Sequence, residues 1–517
     1  MNQKKAGTLL VYARTVISVV ISLIYTPFML RVLGKSEYGS IQLASSLISY
    51  LNLIGLGVGA SYIRFNIRVR HTGDKQQEYE LNGVYFSIFM LMGIIALIAG
   101  IVLVLNAHSI LGSKLHPGEY ALVQKLMLIC VVNLAISFPG SLFRMMLNAY
   151  EKFFFLHIVE IATTILSPAV CFILLFSGYK SVALMVVALA ANAAQIAANA
   201  YHALKTLGLK IVIRRQELVY YREILVFSGF LFLNQITNTI NWSAANYLTA
   251  LLIGTAGTAI YAFGFQFQNY FITLSTAISS VFAPQMNKLV MNQQKEEINE
   301  YFCRIGRLQA ILLMFVFFVF LIIGKKFVTI FAGQDYINSY YVSIILMGTT
   351  IIPLSQNLGI DVQKAMNKHQ FRSVLYMAVA VFNILISIPL CKKFGAVGCA
   401  LGTGLGQIIG NTVCMNIYYY RKIGINVFAF YKEILNLLPV FGITCLVCLL
   451  LDNIFHLQGL FINNFAANSV PTIIKLLGFI CLGGIVSIVF FAGLWIGGFN
   501  KYEKELLKGF FRKIHRI

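Results

Sequence analysis

The sequence predicts an all-α polytopic membrane protein with about 14 transmembrane helices, arranged as two pseudo-symmetric six-helix lobes followed by two C-terminal helices. Three observations carry that prediction. Hydrophobic residues make up 59% of the 517 and charged residues only 11%, and mean hydropathy is +0.79. Soluble chains are about a quarter charged. Apolar runs long enough to cross a bilayer, about 18 residues or more, recur along the whole length. Finally, the runs fall into two similar sets.

The runs lie near 9–30, 40–62, 82–105, 121–142, 154–176, 182–203, 224–253, 258–283, 308–323, 341–360, 373–390, 398–420, 434–451 and 473–495. The first, LLVYARTVISVVISLIYTPFML, follows MNQKK and so shares its opening with a signal peptide. It is too long for one, contains Arg14 and lacks a small-x-small cleavage site, so it reads as a retained first helix. The seventh run is the most polar and the ninth is short. Span twelve carries Gly398, Gly402, Gly406 and Gly410 on one face, and span six has Ala190, Ala191, Ala194, Ala197 and Ala198 in the matching region. Small residues at this spacing let helices approach closely. The string GTGLGQIIG would need a preceding strand to serve as a nucleotide loop, and there is none. Nine cysteines are scattered; Cys445 and Cys448, within span thirteen, read as small apolar packing residues. No metal site or disulfide framework is visible.

The net charge of +22 is explained by its distribution. With both termini placed in the cytoplasm, 29 of the 40 Lys and Arg residues fall on the cytoplasmic side and 10 on the other, with Arg14 inside a span. That asymmetry follows the positive-inside rule and excludes nucleic acid as the reason for the charge. Anionic inner-leaflet lipid is the implied partner of these loops. The tail KYEKELLKGFFRKIHRI, with Phe510, Phe511 and Ile514 between basic residues, suits the membrane surface.

The chain repeats itself at about 220 residues. RVLGKSEYGSIQLASSLISYLNLIGLG after span one is echoed by ALLIGTAGTAIYAFGFQFQNYFITL after span seven, and Gly34 and Gly254 stand 220 apart. RMMLNAYEKFFFLHIVEIATTIL is echoed by QKAMNKHQFRSVLYMAVAVFNIL, with Asn148 and Asn367 219 apart. Six spans per unit return the chain to its starting side, which is the parallel-repeat arrangement of transporters. The expected division is an N-lobe over 1–205, a C-lobe over 206–430 opening with a cytoplasmic linker, and 431–517 for the last two spans and the basic tail.

Polar residues inside the spans mark candidate sites. Span seven contains Asn234, Gln235, Asn238, Asn241 and Asn246, and span eight Gln266, Gln268 and Asn269. Lipid cannot satisfy these amides, so they face a cavity or a neighbouring helix; Asn234, Gln235, Asn238, Asn241, Gln266 and Asn269 are taken as cavity lining. Arg14 lies roughly 8 Å inside the first span at 1.5 Å per residue. Arg64 and Arg144 close spans two and four on the same side, and Lys152, His157 and Glu160 open span five. Three readings stand side by side. Arg14 pairs with Glu160 or snorkels to the inner headgroups; Arg14, Arg64 and Arg144 receive an anionic headgroup in their planar forks; or Glu160 and His157, with Asp361 a weaker candidate, carry a coupling proton or sodium ion. No Walker loop, H-E-x-x-H or G-x-S-x-G stands on a plausible scaffold. The chain is read as a transporter without cofactor or metal, not an enzyme.

The residues PFMLRVLGKSEYGSIQLASSLISYLNLIGLGVGASYIRF, with Leu33-Gly34, Tyr38-Gly39, Gly55-Leu56-Gly57 and Arg64, resemble the first two spans of Wzx-type bacterial polysaccharide-export flippases. YAFGFQFQNYFITLSTAISSVFAPQMNKL, with Tyr261 and Pro284, is similar to spans seven and eight of that family. The family belongs to the multidrug/oligosaccharidyl-lipid/polysaccharide exporter (MOP) superfamily. An acidic residue frequent in the family before the first glycine of span two is replaced here by Leu53 or its neighbours. The resemblance implies flipping of undecaprenyl-pyrophosphate-linked oligosaccharide repeat units across the bacterial plasma membrane by alternating access. Arg14, Arg64 and Arg144 would then meet the pyrophosphate, and a polysaccharide polymerase and glycosyltransferases are the implied partners. Alternatives are flipping of the peptidoglycan precursor lipid II, multidrug export, and a non-transporting scaffold for envelope assembly. The sequence leaves open the sugar composition, the coupling ion and the oligomeric state.

Overall fold

A computed structural model describes residues 3–55, 58–71, 73–111, 115, 117–213, 218–366, 368, 370–455, 472–500 and 503–505; the side chains of Arg64 and of residues 218–243 are not among those described. Helices α1 (Gln3–Leu51), α2 (Val58–His71), α3 (Lys75–Leu105), α4 (Ala107–Leu111), α5 (Pro117–Ala149), α6 (Phe153–Phe176) and α7 (Ser181–Tyr201) form the first part of the chain. They are followed by α8 (Leu218–Met291), α9 (Lys295–Phe331), α10 (Ile337–Ser355), α11 (Leu358–Ala365) and α12 (Gln370–Gly406). Then come α13 (Met415–Tyr418), α14 (Val427–Leu435), α15 (Leu438–Phe455) and α16 (Thr472–Gly493). No strand occurs among the described residues.

Eleven helices among the described residues are long and apolar enough to cross a membrane. Three of them, holding Gly34, Gly254 and Gly395, are broken by a kink at that glycine. Exposed large apolar side chains run along their outer faces, among them Ile98, Leu105, Val374, Leu385, Ile443 and Ile488. Water would penalise so much apolar surface, whereas hydrocarbon does not. The chain is a multi-pass membrane protein.

The repeat is written in the backbone. Gly34 (φ 75°, ψ 176°) and Gly254 (φ 79°, ψ −174°) take one conformation, 220 residues apart. That region of φ/ψ space is open essentially to glycine alone. Left-handed residues precede α3 and α9 at Gly73 and Gln293, again 220 apart, and recur at Gly178 with Gly395 and at Gly208 with Gly424. A π-helical turn ends each set, at His202–Thr206 and at Tyr419–Ile423. Breaks at corresponding places mean that the two halves change direction at corresponding places.

Two expectations are corrected. The second span is not continuous over 40–62: α1 ends at Leu51, a 3₁₀ turn covers Asn52–Gly55, and α2 starts at Val58. Helix α5 packs closely on both sides of the break: a Cβ on Gly55 would overlap the ring of Phe138, and one on Gly59 the methyl of Met145. The ninth helix extends well beyond 308–323, to Lys295–Phe331, because Arg304 and Arg307 are absorbed into it. The tail residues Phe510, Phe511 and Ile514 lie outside the described residues.

The helices form two compact units, Met1–Phe263 with Tyr376–Gly402, and Gly264–Leu375 with Thr403–Ile517. In the first unit one core joins α2, α3 and α5 around Tyr62, Tyr85, Phe89 and Leu142. A second core joins α1, α5 and the first half of α8 around Leu43, Leu47, Leu126, Val131 and Ala250. In the second unit α9, α15 and α16 pack Phe318, Cys448, Leu482 and Phe490 together.

Candidate functional site

Four titratable side chains of the first unit, Arg14, Arg144, His157 and Glu160, meet at one point. Glu160 sits two turns into α6 and is 5% exposed. Its two carboxylate oxygens accept from two different guanidiniums: Arg14 Nη1 from α1 bonds Oε2, and Arg144 Nη2 from the end of α5 bonds Oε1. His157, one turn earlier on α6, places Nδ1 3.1 Å from Oε2. The turn Tyr150–Lys152, with Glu151 at φ 54°, reverses α5 into α6 and brings Arg144 across from Glu160. Thr163 and Thr164 bond the backbone carbonyl of Glu160 at 3.0 and 2.7 Å, which fixes the helix behind it.

Two guanidiniums share one carboxylate, so the cluster carries an excess positive charge. The side chains of Arg14 and Arg144 are 37% and 51% exposed, against 6% for Glu160. Each arginine engages one nitrogen, and its remaining N–H groups make no further bond among the described residues. Arg307 in the second unit shows the opposite arrangement. It is 6% exposed, and Nε bonds Glu503 at 2.8 Å, Nη1 bonds Glu433 Oε2 at 2.7 Å and its carbonyl at 3.0 Å, and Nη2 bonds the carbonyl of Gly498. A guanidinium engaged at every nitrogen is a clamp; one engaged at a single nitrogen retains capacity for a ligand.

The structure thus brings together Arg14, Arg144, His157 and Glu160 and shows the Arg14–Glu160 pair. The side chains of Arg64, Asn234, Gln235, Asn238 and Asn241 lie outside the described residues. The described amides bind helices. Asn246 donates to Ser46 at 3.1 Å, Gln266 to the Tyr270 hydroxyl at 3.1 Å, and Gln268 to the Leu346 carbonyl at 3.5 Å. Asn269 is half-buried, and its backbone carbonyl, not its side-chain amide, accepts from the Thr273 hydroxyl. Asp361, in α11, belongs to the second unit and not to the Glu160 cluster. Burial raises its carboxyl, opposed by Lys364 and Arg372.

Sequence reasoning passes over two polar groups in the first unit. Glu78 on α3 is buried and accepts from Asn66 of α2 at 3.0 Å and from the Tyr150 hydroxyl at 2.9 Å. Burial, then the bond to Glu78, pushes Tyr150 up to about 12, and Arg70 lies 4.1 Å from its ring. Glu119 near the start of α5 accepts from Ser36 and Thr255, each within two residues of a paired glycine break. Both acids stand at the edges of apolar runs, where a charge costs little, so no intramembrane cost flags them.

Kinked membrane helices in two matching sets, with a buried carboxylate drawing arginines from two further helices, define a polytopic protein of transporter architecture. Residues 28–341 match the model of the polysaccharide biosynthesis protein family, and the chain belongs to that family. It is 21% identical over 442 residues to the uncharacterized membrane protein EpsK of Bacillus subtilis (strain 168), covering 84% of this chain and 86% of that protein. Its fold is similar to that of the lipid II flippase MurJ in an inward closed conformation, with a TM-score of 0.65 and 15% identity over 94% of this chain and 99% of that one. An inward-facing multidrug resistance MATE family transporter of the MOP superfamily follows, with a TM-score of 0.62 and 12% identity over 82% and 99%. At these identities the shared property is the fold, which is that of flippases and transporters.

Proposed function

We propose that this protein is a flippase that carries undecaprenyl-pyrophosphate-linked oligosaccharide units from the cytoplasmic to the outer leaflet of the bacterial plasma membrane by alternating access. Both termini are cytoplasmic in this reading. Membership of a polysaccharide biosynthesis family supports the class of cargo. The observation that carries the reading is the pair Arg14 and Arg144 sharing buried Glu160, with open donors and a net positive charge. A diphosphate presents several oxyanions to such forks, while the polyprenyl chain stays in hydrocarbon. Arg64 is a third donor of the same site in this proposal, and the amides Asn234, Gln235, Asn238, Asn241, Gln266 and Asn269 meet sugar hydroxyls. A proton or sodium gradient, acting through Glu160 and His157 or through Asp361, supplies the drive. Anionic inner-leaflet lipid, a polymerase and glycosyltransferases are the proposed partners.

The likeness to MurJ favours one competing cargo, lipid II, which has the same diphosphate anchor. Multidrug export fits less well, because cationic drugs call for an acidic site. The test measures repeat units at the cell surface at matched expression. Arg14→Ala should lower their appearance by roughly tenfold or more, the loss of a charge-assisted contact. Arg14→Lys should recover part of it, since an ammonium keeps the charge and loses the fork. Full activity of the alanine variant eliminates the site. Rescue of lipid II flipping, with surface polysaccharide unchanged, transfers the assignment to the peptidoglycan precursor.

A further inference from the structure

We propose that Glu160 is a resident stand-in for the cargo's phosphate. It holds the anion position between Arg14 and Arg144 while the site is empty, and an oxygen of the arriving diphosphate displaces it. This inference rests on the headgroup reading of the site given above and adds how the site is kept ready and how it lets go.

The first argument is geometric. Each oxygen of the Glu160 carboxylate is met by a different arginine, and carboxylate and phosphate oxyanions fit the same guanidinium donors. The Glu160 side chain is 6% exposed, and those of Arg14 and Arg144 are 37% and 51% exposed. A ligand therefore reaches the arginines without passing the acid. The second argument is electrostatic. Two guanidiniums aimed at one empty point would repel in a region of low dielectric, and a single carboxylate relieves this while leaving positive charge over. An anion of higher charge, with more oxygens, can engage donors that Glu160 leaves open. The third argument is that the displaced acid has somewhere to go. His157 Nδ1 is already 3.1 Å from Oε2, at i,i+3 on the same helix, so the carboxylate keeps a partner after both arginines have left it. When the cycle moves on, its return to the arginines competes with the phosphate and promotes release. A flippase needs both capture and release, and a permanently vacant arginine pair would favour only the first.

Calorimetric titration of the purified full-length protein with inorganic pyrophosphate tests this. Glu160→Gln is expected to bind at least about tenfold more tightly than wild type, because the competing occupant is removed and the binding-competent fraction rises. In the flipping assay the same variant should turn over more slowly, since release loses its competitor. A merely structural role would lower affinity and turnover together. Glu160→Asp, whose shorter arm holds the position less well, should fall between the two in affinity, and it decides the matter if the glutamine variant does not fold. Unchanged or weaker pyrophosphate binding in whichever of these variants folds overturns the exchange. Separately, wild-type pyrophosphate binding by the double variant Arg14→Ala/Arg144→Ala overturns the headgroup site itself, so the two failures are told apart.

Discussion

At the scale of single residues, the number of engaged donors separates an arginine that holds the fold from one that can hold a ligand. Arg307 bridges α9 to Glu433 at the end of α14, to Gly498 and to Glu503. Glu503 is 2% exposed and also exchanges bonds with Asn500, the acid accepting from the Asn500 amide at 2.8 Å while its own amide donates back at 2.9 Å. This is a capping box, which starts the next helical turn. Arg307→Met leaves the buried Glu503 carboxylate without the counter-charge of Arg307, holding only the Asn500 amide, an effect on the order of 3–5 kcal/mol. A marked drop in the melting temperature of the detergent-purified protein is expected, and adding Glu503→Gln should restore part of it because the orphan charge is gone. A double variant as unstable as the single one would contradict the clamp. Arg14 and Glu160 could be picked out in the sequence because each is a charge in an apolar run and therefore needs a reason. Arg307 stands at the margin of its run, and its three partners come from 126 to 196 residues away. No local pattern announces such a clamp.

At the scale of elements, glycines decide where the helices break. Nothing lies within 4 Å of a Cβ built on Gly34, so a substitution there is penalised by backbone conformation alone. Gly34→Ala is expected to destabilise by about 1–3 kcal/mol, the cost of a side chain in that region of φ/ψ space, and Gly254→Ala should behave alike where the backbone is alike. Thermal melts of both single variants check this; an alanine at either position that leaves stability unchanged would show that the chain can turn there in another way. The repeat itself is readable from sequence because these glycines recur at a fixed spacing. The end of α1 at Leu51 and the 3₁₀ turn at Asn52–Gly55 are harder to read. Gly55, Leu56 and Gly57 lie within an apolar run that hydropathy scores as continuous, and the ring of Phe138 from α5 fills the place a Cβ on Gly55 would take.

At the scale of the whole molecule, the two sets of helices are joined within the first compact unit at their paired breaks. Glu119 accepts from Ser36 and from Thr255, and Gly39 has no Cβ where the Thr255 carbonyl lies. In the alternating-access proposal, this contact parts and is remade in each cycle. Glu119→Ala removes the shared acceptor, and faster hydrogen exchange is expected over residues 35–40 and 255–260, with the Arg307 region unchanged. Equal exchange in variant and wild type would mean that the close packing at Gly39 alone holds the breaks together.

Composition, the length of apolar runs and the 220-residue spacing determined by themselves that this is a membrane-embedded, repeated, all-helical chain, because hydrocarbon imposes its rule residue by residue and each helix satisfies its own backbone. They also marked Arg14 and Glu160, since a charge in an apolar run is costly wherever its partner lies. Only the tertiary structure decided that two arginines share that one acid, that Arg307 is saturated, and that Glu119 joins the paired breaks. Those facts depend on which side chains from distant helices arrive at one point, and packing between helices, not the pattern along any one of them, sets that.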